Sequence, residues 1–235
     1  MRQVFLDTET TGLYAEQGDR IIEVACVEYD NRRDTGRRFH HYVNPGRSSH
    51  PDAVRVHGIT DEFLADKPLF ATIVTELIEF VSDADVVIHN ASFDLAFLDA
   101  ELKRLGQARF ATHAARITDS LLMAREMFPG KGNSLDALCR RLEVDNSKRD
   151  LHGALIDADL LAQVYLNMTR GQDSLVIDSS DTRQGPVVAA AANWVELNLP
   201  VLHADADELA SHQRVLQDVD KASKGKSVWR PEVVA

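Results

Sequence analysis

The sequence predicts an α/β domain with a mixed central sheet flanked by helices, followed by a flexible C-terminal tail. Three observations carry that reading. Strand-like runs joined by short turns fill the first 45 residues, helical runs alternate with a further strand after them, and the texture changes from Gly171 onward.

The first strands read QVFLDTE, RIIEVACVEYD and RRFHHYVNP, with turn residues at Gly18 and Asp19 and from Asn31 to Gly36. Connections this short predict an antiparallel meander. FATIVTELIEFVSD then has helical spacing, DVVIHN is a buried strand, and SFDLAFLDAELKRLG is a helix opened by Ser92 and closed by Gly106. Helical runs ITDSLLMAREMFPG, NSLDALCRRLEV (N-cap Ser134) and GALIDADLLAQVYLNMTRG complete a domain ending near Arg170. Residues 171–193 are rich in small and polar residues and read as a mobile linker. The segment 194–235 holds one further helical run, DADELASHQRVLQDVDKAS, with Leu209, Val215, Leu216 and Val219 as a thin apolar stripe. One helix cannot bury that stripe alone, so it packs back on the domain or meets a partner protein.

The chain of 235 residues is long enough for a real core. No apolar run approaches the roughly 18 residues of a membrane span, and the N-terminus lacks a signal-peptide pattern, so the expectation is a cytoplasmic protein with no membrane contact. Cys26 and Cys139 have no CxxC spacing and lie in apolar stretches, as reduced core thiols do. The formal net charge is −11, from 26 basic and 37 acidic residues. That argues against tight autonomous binding of nucleic acid, which rests mostly on Lys and Arg neutralising phosphates. It leaves room for an enzyme that handles a few nucleotides with cations supplying the positive charge.

Acids stand where they are least expected. In VFLDTETTGL, Asp7 and Glu9 follow a buried strand and point to the same side of it. Two carboxylates sharing a site raise one pKa or take up a hard cation such as Mg²⁺ or Mn²⁺; the plainer reading is a solvated strand end. Asp94 lies in line with Phe97, Leu98 and Leu105, and Asp157 with Leu160, Leu161, Val164 and Met168, so both belong to core-facing stripes. Each also falls in a first helical turn, where an acid suits the helix dipole. His152 is five residues from Asp157, a rotation of about 140° on a continuous helix, so the two converge only if the helix starts after the histidine, at Gly153. Two divalent cations held by Asp7, Glu9, Asp94 and Asp157, with His152 as general base, explain all five residues together. Such a pair clamps the attacking and leaving oxygens of a phosphodiester.

VFLDTETTGL, VIHNASFDLAFLDAEL and LHGALIDADLLAQVYL resemble the three motifs of the DEDDh 3′→5′ exonucleases. VHGITDEFLADKP, MFPGKGNSLDALCRRLEVDNSKRDLHGAL and SVWR are similar, nearly end to end, to the proofreading exonuclease family of bacterial DNA polymerase III. The resemblance implies a ribonuclease H-like fold and removal of mispaired 3′ nucleotides as nucleoside 5′-monophosphates. By the same resemblance Asp7, Glu9 and Asp157 would hold the first metal, Asp7 would bridge to the second, and Asp94 would support the second. His152 would deprotonate the attacking water. Thr8, Thr10, Gly12, Leu13, His57 and Phe93 would line the pocket of the terminal nucleotide. Within the linker, Gln172, Leu175 and Ile177 are similar to the QxxLxF-type peptides that bind the bacterial sliding clamp, with Ile177 where Phe is preferred. The C-terminal segment would tether the chain to the polymerase alpha subunit, and tethering would replace intrinsic DNA affinity. A free-standing DEDDh RNase that trims RNA 3′ ends uses the same five residues, but needs no such tail.

Overall fold

The computed structural model describes residues 1–147, 151–170 and 204–225. The chain divides into two units, Met1–Ser179 and Ser180–Ala235. The first holds a five-stranded sheet of order β3-β2-β1-β4-β5. Its central strand β1 (Arg2–Thr10) pairs antiparallel with β2 (Ile21–Asp30) and parallel with β4 (Asp85–Ile88). β3 (Arg33–Tyr42) closes one edge antiparallel to β2, and β5 (Arg116–Asp119) closes the other parallel to β4. Helices α1 (Pro51–His57), α2 (Asp61–Leu64) and α3 (Phe70–Val81) lie between β3 and β4. α4 (Ala91–Arg104) makes the crossover to β5, and α5 (Ser120–Met127), α6 (Leu135–Arg141) and α7 (Ala154–Met168) follow.

Strand alternation assigns the two faces. Val4, Leu6, Val24 and Cys26 pack toward α3 and the α4 residues Phe97, Leu98 and Leu102. Phe5, Val27, Tyr29 and Val87 pack toward Leu138 of α6 and Leu161, Val164 and Tyr165 of α7. Each fully buried side chain contributes about 1.5–3 kcal/mol. Both cysteines are buried thiols, Cys26 and Cys139 in different clusters, and burial pushes the Cys26 thiol up. Arg20 donates from Nε and Nη2 to Glu101 at 2.5 and 2.7 Å, tying the approach to β2 onto α4.

Several expectations need correction. The β2–β3 hairpin turns on Asn31 and Arg32 alone, both at positive φ (47° and 64°), as a two-residue turn matched to strand twist requires. β3 therefore starts at Arg33 rather than Arg37. Gly36 (φ 77°) falls inside that strand, near the register shift between Val27 and Tyr29. Residues 117–119, expected in a helix, form β5, because Val86, Val87 and Ile88 offer Ile117, Thr118 and Asp119 a parallel edge to pair with. Asn90, not Ser92, caps α4: it is left-handed (φ 67°), and the first helical amide, Ala91 N, donates to Asp119 Oδ2 at 3.0 Å. Leu105 lies at the C-cap of that helix, 38% exposed, and so leaves the apolar stripe.

In the second unit α8 (Ala206–Ala222) starts with a capping box between Asp205 and Glu208. None of its residues is buried, and Leu209, Val215 and Val219 stand exposed. The linker residues Gln172, Leu175 and Ile177 lie outside the described residues. Among the described residues no helix is long and apolar enough to cross a membrane.

Candidate active site

The parallel pairing of β1 and β4 ends at Leu6 and Ile88, whereas β1 continues beside β2 through Asp7, Thr8 and Glu9. Asp7 and Glu9 therefore stand where the sheet splits, on the face that α7 covers, and Thr8 points to the α4 side. Thr8 Oγ1 donates to Asp94 Oδ1 at 2.7 Å. Asp94 is in the first turn of α4 yet only 3% exposed, which rules out the solvated reading. Burial pushes its carboxyl up to about 7, against the bond from Thr8.

Asp157 is likewise in a first helical turn, that of α7, and 3% exposed. Gly153, the N-cap, is extended, so His152 lies outside the helix, as convergence requires. His152 Nδ1 is 3.3 Å from Asp157 Oδ2. Its backbone amide donates to Val56 O of α1 at 3.2 Å, and Leu151 closes on Gly58, where a Cβ would meet Leu151 Cδ1 at 2.5 Å. A helix absent from the sequence reading thus sets the position of the histidine. One ligand atom each from Glu9, His152 and Asp157 lies within 4.8 Å of the others. The carboxylate oxygens among them fit a divalent cation of the Mg²⁺ or Mn²⁺ kind.

Burial of Asp94 makes the stability of the metal-free fold depend on pH. In the metal-free fold its proton stays on to about pH 7, whereas in the unfolded chain it leaves near pH 4. The folded state then binds more protons across that window, so stability falls as pH rises from about 4 to 7. In EDTA the melting temperature of the wild type should drop more steeply over this range than that of Asp94→Asn, and the variant should be the more stable at pH 8. Equal slopes in thermal melts would place the ionisation of Asp94 elsewhere.

Asp7, Thr8, Glu9, Phe93, Asp94, His152 and Asp157 line a cleft of about 640 Å³. Thr8, Glu9 and Phe93 are shared with an adjoining pocket of about 850 Å³ that also takes in Thr10, Gly12, Leu13 and His57. All eleven residues predicted for catalysis and the nucleotide pocket thus line two contiguous hollows. Gly12 is required sterically, since a Cβ there would lie 2.3 Å from Asp19 Oδ2. Asp19 in turn accepts from Thr11 Oγ1 and Tyr14 N, which folds the turn under the pocket. Ile59 N donates to His57 Nδ1, putting the proton on Nε2. Burial pushes His57 below the ordinary histidine pKa, which keeps it neutral. Its Nε2 is buried and has no hydrogen bond of good geometry among the described residues.

Sequence reasoning missed the far wall of the cleft, where His89, Arg125, Lys131 and Asn133 stand. His89 Nδ1 contacts Ser120 Oγ at 2.9 Å. The only signal for this wall was a polar loop, GKGNS, between two helical runs.

An open mixed sheet with acids gathered where its central strand outruns a parallel neighbour is the layout of the ribonuclease H-like exonucleases, and this chain is a 3′–5′ exonuclease of that class. The RNase_T exonuclease family model matches residues 4–165. The chain belongs to the family of DNA polymerase III epsilon subunits within it. The Salmonella typhimurium epsilon subunit is 48% identical over 237 residues, covering 97% of each chain. The Pasteurella multocida subunit is 47% identical over 240 residues, covering 97% of this chain and 93% of the relative. Among solved structures, exonuclease X in complex with 5′-overhanging duplex DNA is 26% identical, with a TM-score of 0.56 over 71% of this chain and 90% of that one. Escherichia coli exonuclease I with a dT13 oligonucleotide shares the fold at 19% identity, with a TM-score of 0.65 over 74% of this chain and 42% of that one.

Proposed function

We propose that this chain excises mispaired 3′-terminal nucleotides from DNA as the proofreading subunit of a bacterial replicative polymerase, releasing nucleoside 5′-monophosphates. The observation that carries this reading is the convergence of Glu9, His152 and Asp157 beside Asp7 and Asp94 in a cleft continuous with a nucleotide-sized pocket. Asp7, Glu9 and Asp157 would hold one divalent cation, Mg²⁺ or Mn²⁺, and Asp7 with Asp94 a second. Bound there, the pair supplies charge neutralisation at the scissile phosphate and an acidified water. His152, 45% exposed on its side chain, accepts the proton of the attacking water and hands it to solvent. In the adjoining pocket Thr8, Thr10, Gly12 and Leu13 hold the terminal nucleotide, Phe93 offers a ring face for its base, and His57 Nε2 donates to it. A frayed 3′ end suits such a cleft, because unstacking is cheapest where the pair is already wrong.

The test is degradation of 5′-labelled oligonucleotides in Mg²⁺. Rapid loss from single-stranded and mispaired DNA, slower loss from paired ends and weak loss from RNA are expected. A clear preference for RNA would make the chain a trimming RNase instead.

The family to which the chain belongs supports a place in the polymerase assembly. We assign the domain at 1–170 to cleavage, the linker at 171–193 to reach, and 194–235 to the alpha subunit, with Gln172, Leu175 and Ile177 as a weak contact to the sliding clamp. Truncation after Arg170 should spare cleavage of single strands and abolish co-elution with the alpha subunit. Retained co-elution would move the contact onto the exonuclease domain.

A further inference from the structure

Glu23 is a buried acid that the reaction above does not use. It stands near the start of β2, directly opposite Glu9 in the β1–β2 register, and is 2% exposed. Facing residues of an antiparallel pair share a side of the sheet, so Glu23 points to the α7 face together with Glu9. There its Oε2 accepts from Ala154 N at 3.1 Å. Ala154 is the first residue of α7, whose N-cap, Gly153, makes no side-chain capping bond. The other oxygen, Oε1, is 2.7 Å from His40 Nε2 on β3.

The first amides of a helix have no intrahelical acceptor, and a negative group there is favoured by the helix dipole. α7 borrows its cap from a strand across the sheet. The residue that supplies it is paired with Glu9, and the helix it caps brings Asp157 three residues further on and His152 two residues before. We propose that Glu23 is a positioning residue for 3′ excision, fixing the start of α7 against the sheet so that His152, just before that start, is held beside Glu9 and Asp157. This rests on the roles given to those three residues under Proposed function. Displacement of a reacting group by about 1 Å can cost a hundredfold in rate, so the effect belongs in kcat.

Glu23→Gln tests it, because an amide offers one acceptor oxygen where two are engaged. The full chain is assayed on single-stranded DNA in Mg²⁺ as wild type, Glu23→Gln, His152→Ala and the double variant. Glu23→Gln should lower kcat by about ten- to a hundredfold with KM within about twofold. On the His152→Ala background the same change should cost less than about threefold, since the group being positioned is already gone. A folded Glu23→Gln protein with wild-type kcat overturns the proposal, as does an equal factor lost on both backgrounds, which marks a purely structural acid. His152→Ala at the wild-type rate would overturn the functional reading and this proposal with it. A loss in His152→Ala with none in Glu23→Gln overturns this proposal alone. If circular dichroism shows Glu23→Gln unfolded, His40→Ala carries the test: it releases Oε1, and a kcat loss confined to the His152 background is expected, with no loss or an additive one overturning the assignment.

Discussion

Asp7→Ala and Asp157→Ala should each reduce 3′ excision by at least about a thousandfold, while the metal-free proteins melt no lower than the wild type. The two halves have separate causes. Asp157 is buried in the first turn of α7, with its carboxylate in the same cluster of ligand atoms as Glu9. Truncation there removes a dipole interaction of about 0.3–1 kcal/mol and the contact with His152 Nδ1. It also removes like-charge repulsion of the same order, so the net change without metal is small. Asp7, half-buried at the point where β1 leaves β4, relieves the same crowding. Saturating Mg²⁺ changes the balance. A ligand present at a hundred times its dissociation constant stabilises the folded state by about 2.7 kcal/mol, and that gain is lost when the donor set is broken. Urea unfolding should therefore separate wild type from the variants in Mg²⁺ and bring them together in EDTA. A variant that retained near-normal cleavage in Mg²⁺ would remove that carboxylate from the metal site.

Burial energetics and the sequence distance of each contact separate the features legible in the chain from those that were not. Asp94 and Asp157 were legible because an acid in an apolar stripe violates burial energetics, and the structure buries both to 3% exposure, whereas Asp7 and Glu9 showed as two acids on one side of a strand. Glu23 carries the same signal inside IIEVACVEYD, yet a single acid in a strand passes for an outward-facing residue until the register sets it opposite Glu9. The meander was legible from strand-like runs joined by short turns, whereas β5 was not: its few residues run without a break into α5, and only pairing with β4 makes them a strand. The cap on α4 comes from Asp119, 28 residues away, and the amide of His152 is held by Val56. Interactions that distant leave no periodic trace. The arrival of His152 beside Asp157 was readable only as a condition on where α7 begins, and Gly153 meets it.

His152→Ala should lower kcat by about a hundred- to ten-thousandfold while changing the Mg²⁺ concentration for half-maximal activity far less. The structure separates the two effects. Asp7, Glu9 and Asp94 offer oxygen donors apart from the histidine, and Asp157 is carried by α7 itself, so the cation site keeps its carboxylates without the ring. The histidine instead sits on the residue before the helix cap, its amide held by Val56 O and its side chain 45% exposed, where a proton taken in the cleft can pass to bulk water. A general base acts only in its unprotonated form, so wild-type kcat should climb with pH and then level off. In His152→Ala the climb should flatten, leaving a slow rate carried by hydroxide at high pH. His152→Gln, which keeps hydrogen-bonding capacity but takes up no proton, should resemble the alanine variant; restoration of the wild-type rate by glutamine would make the ring a hydrogen-bonding wall of the cleft and assign the water's proton to another group.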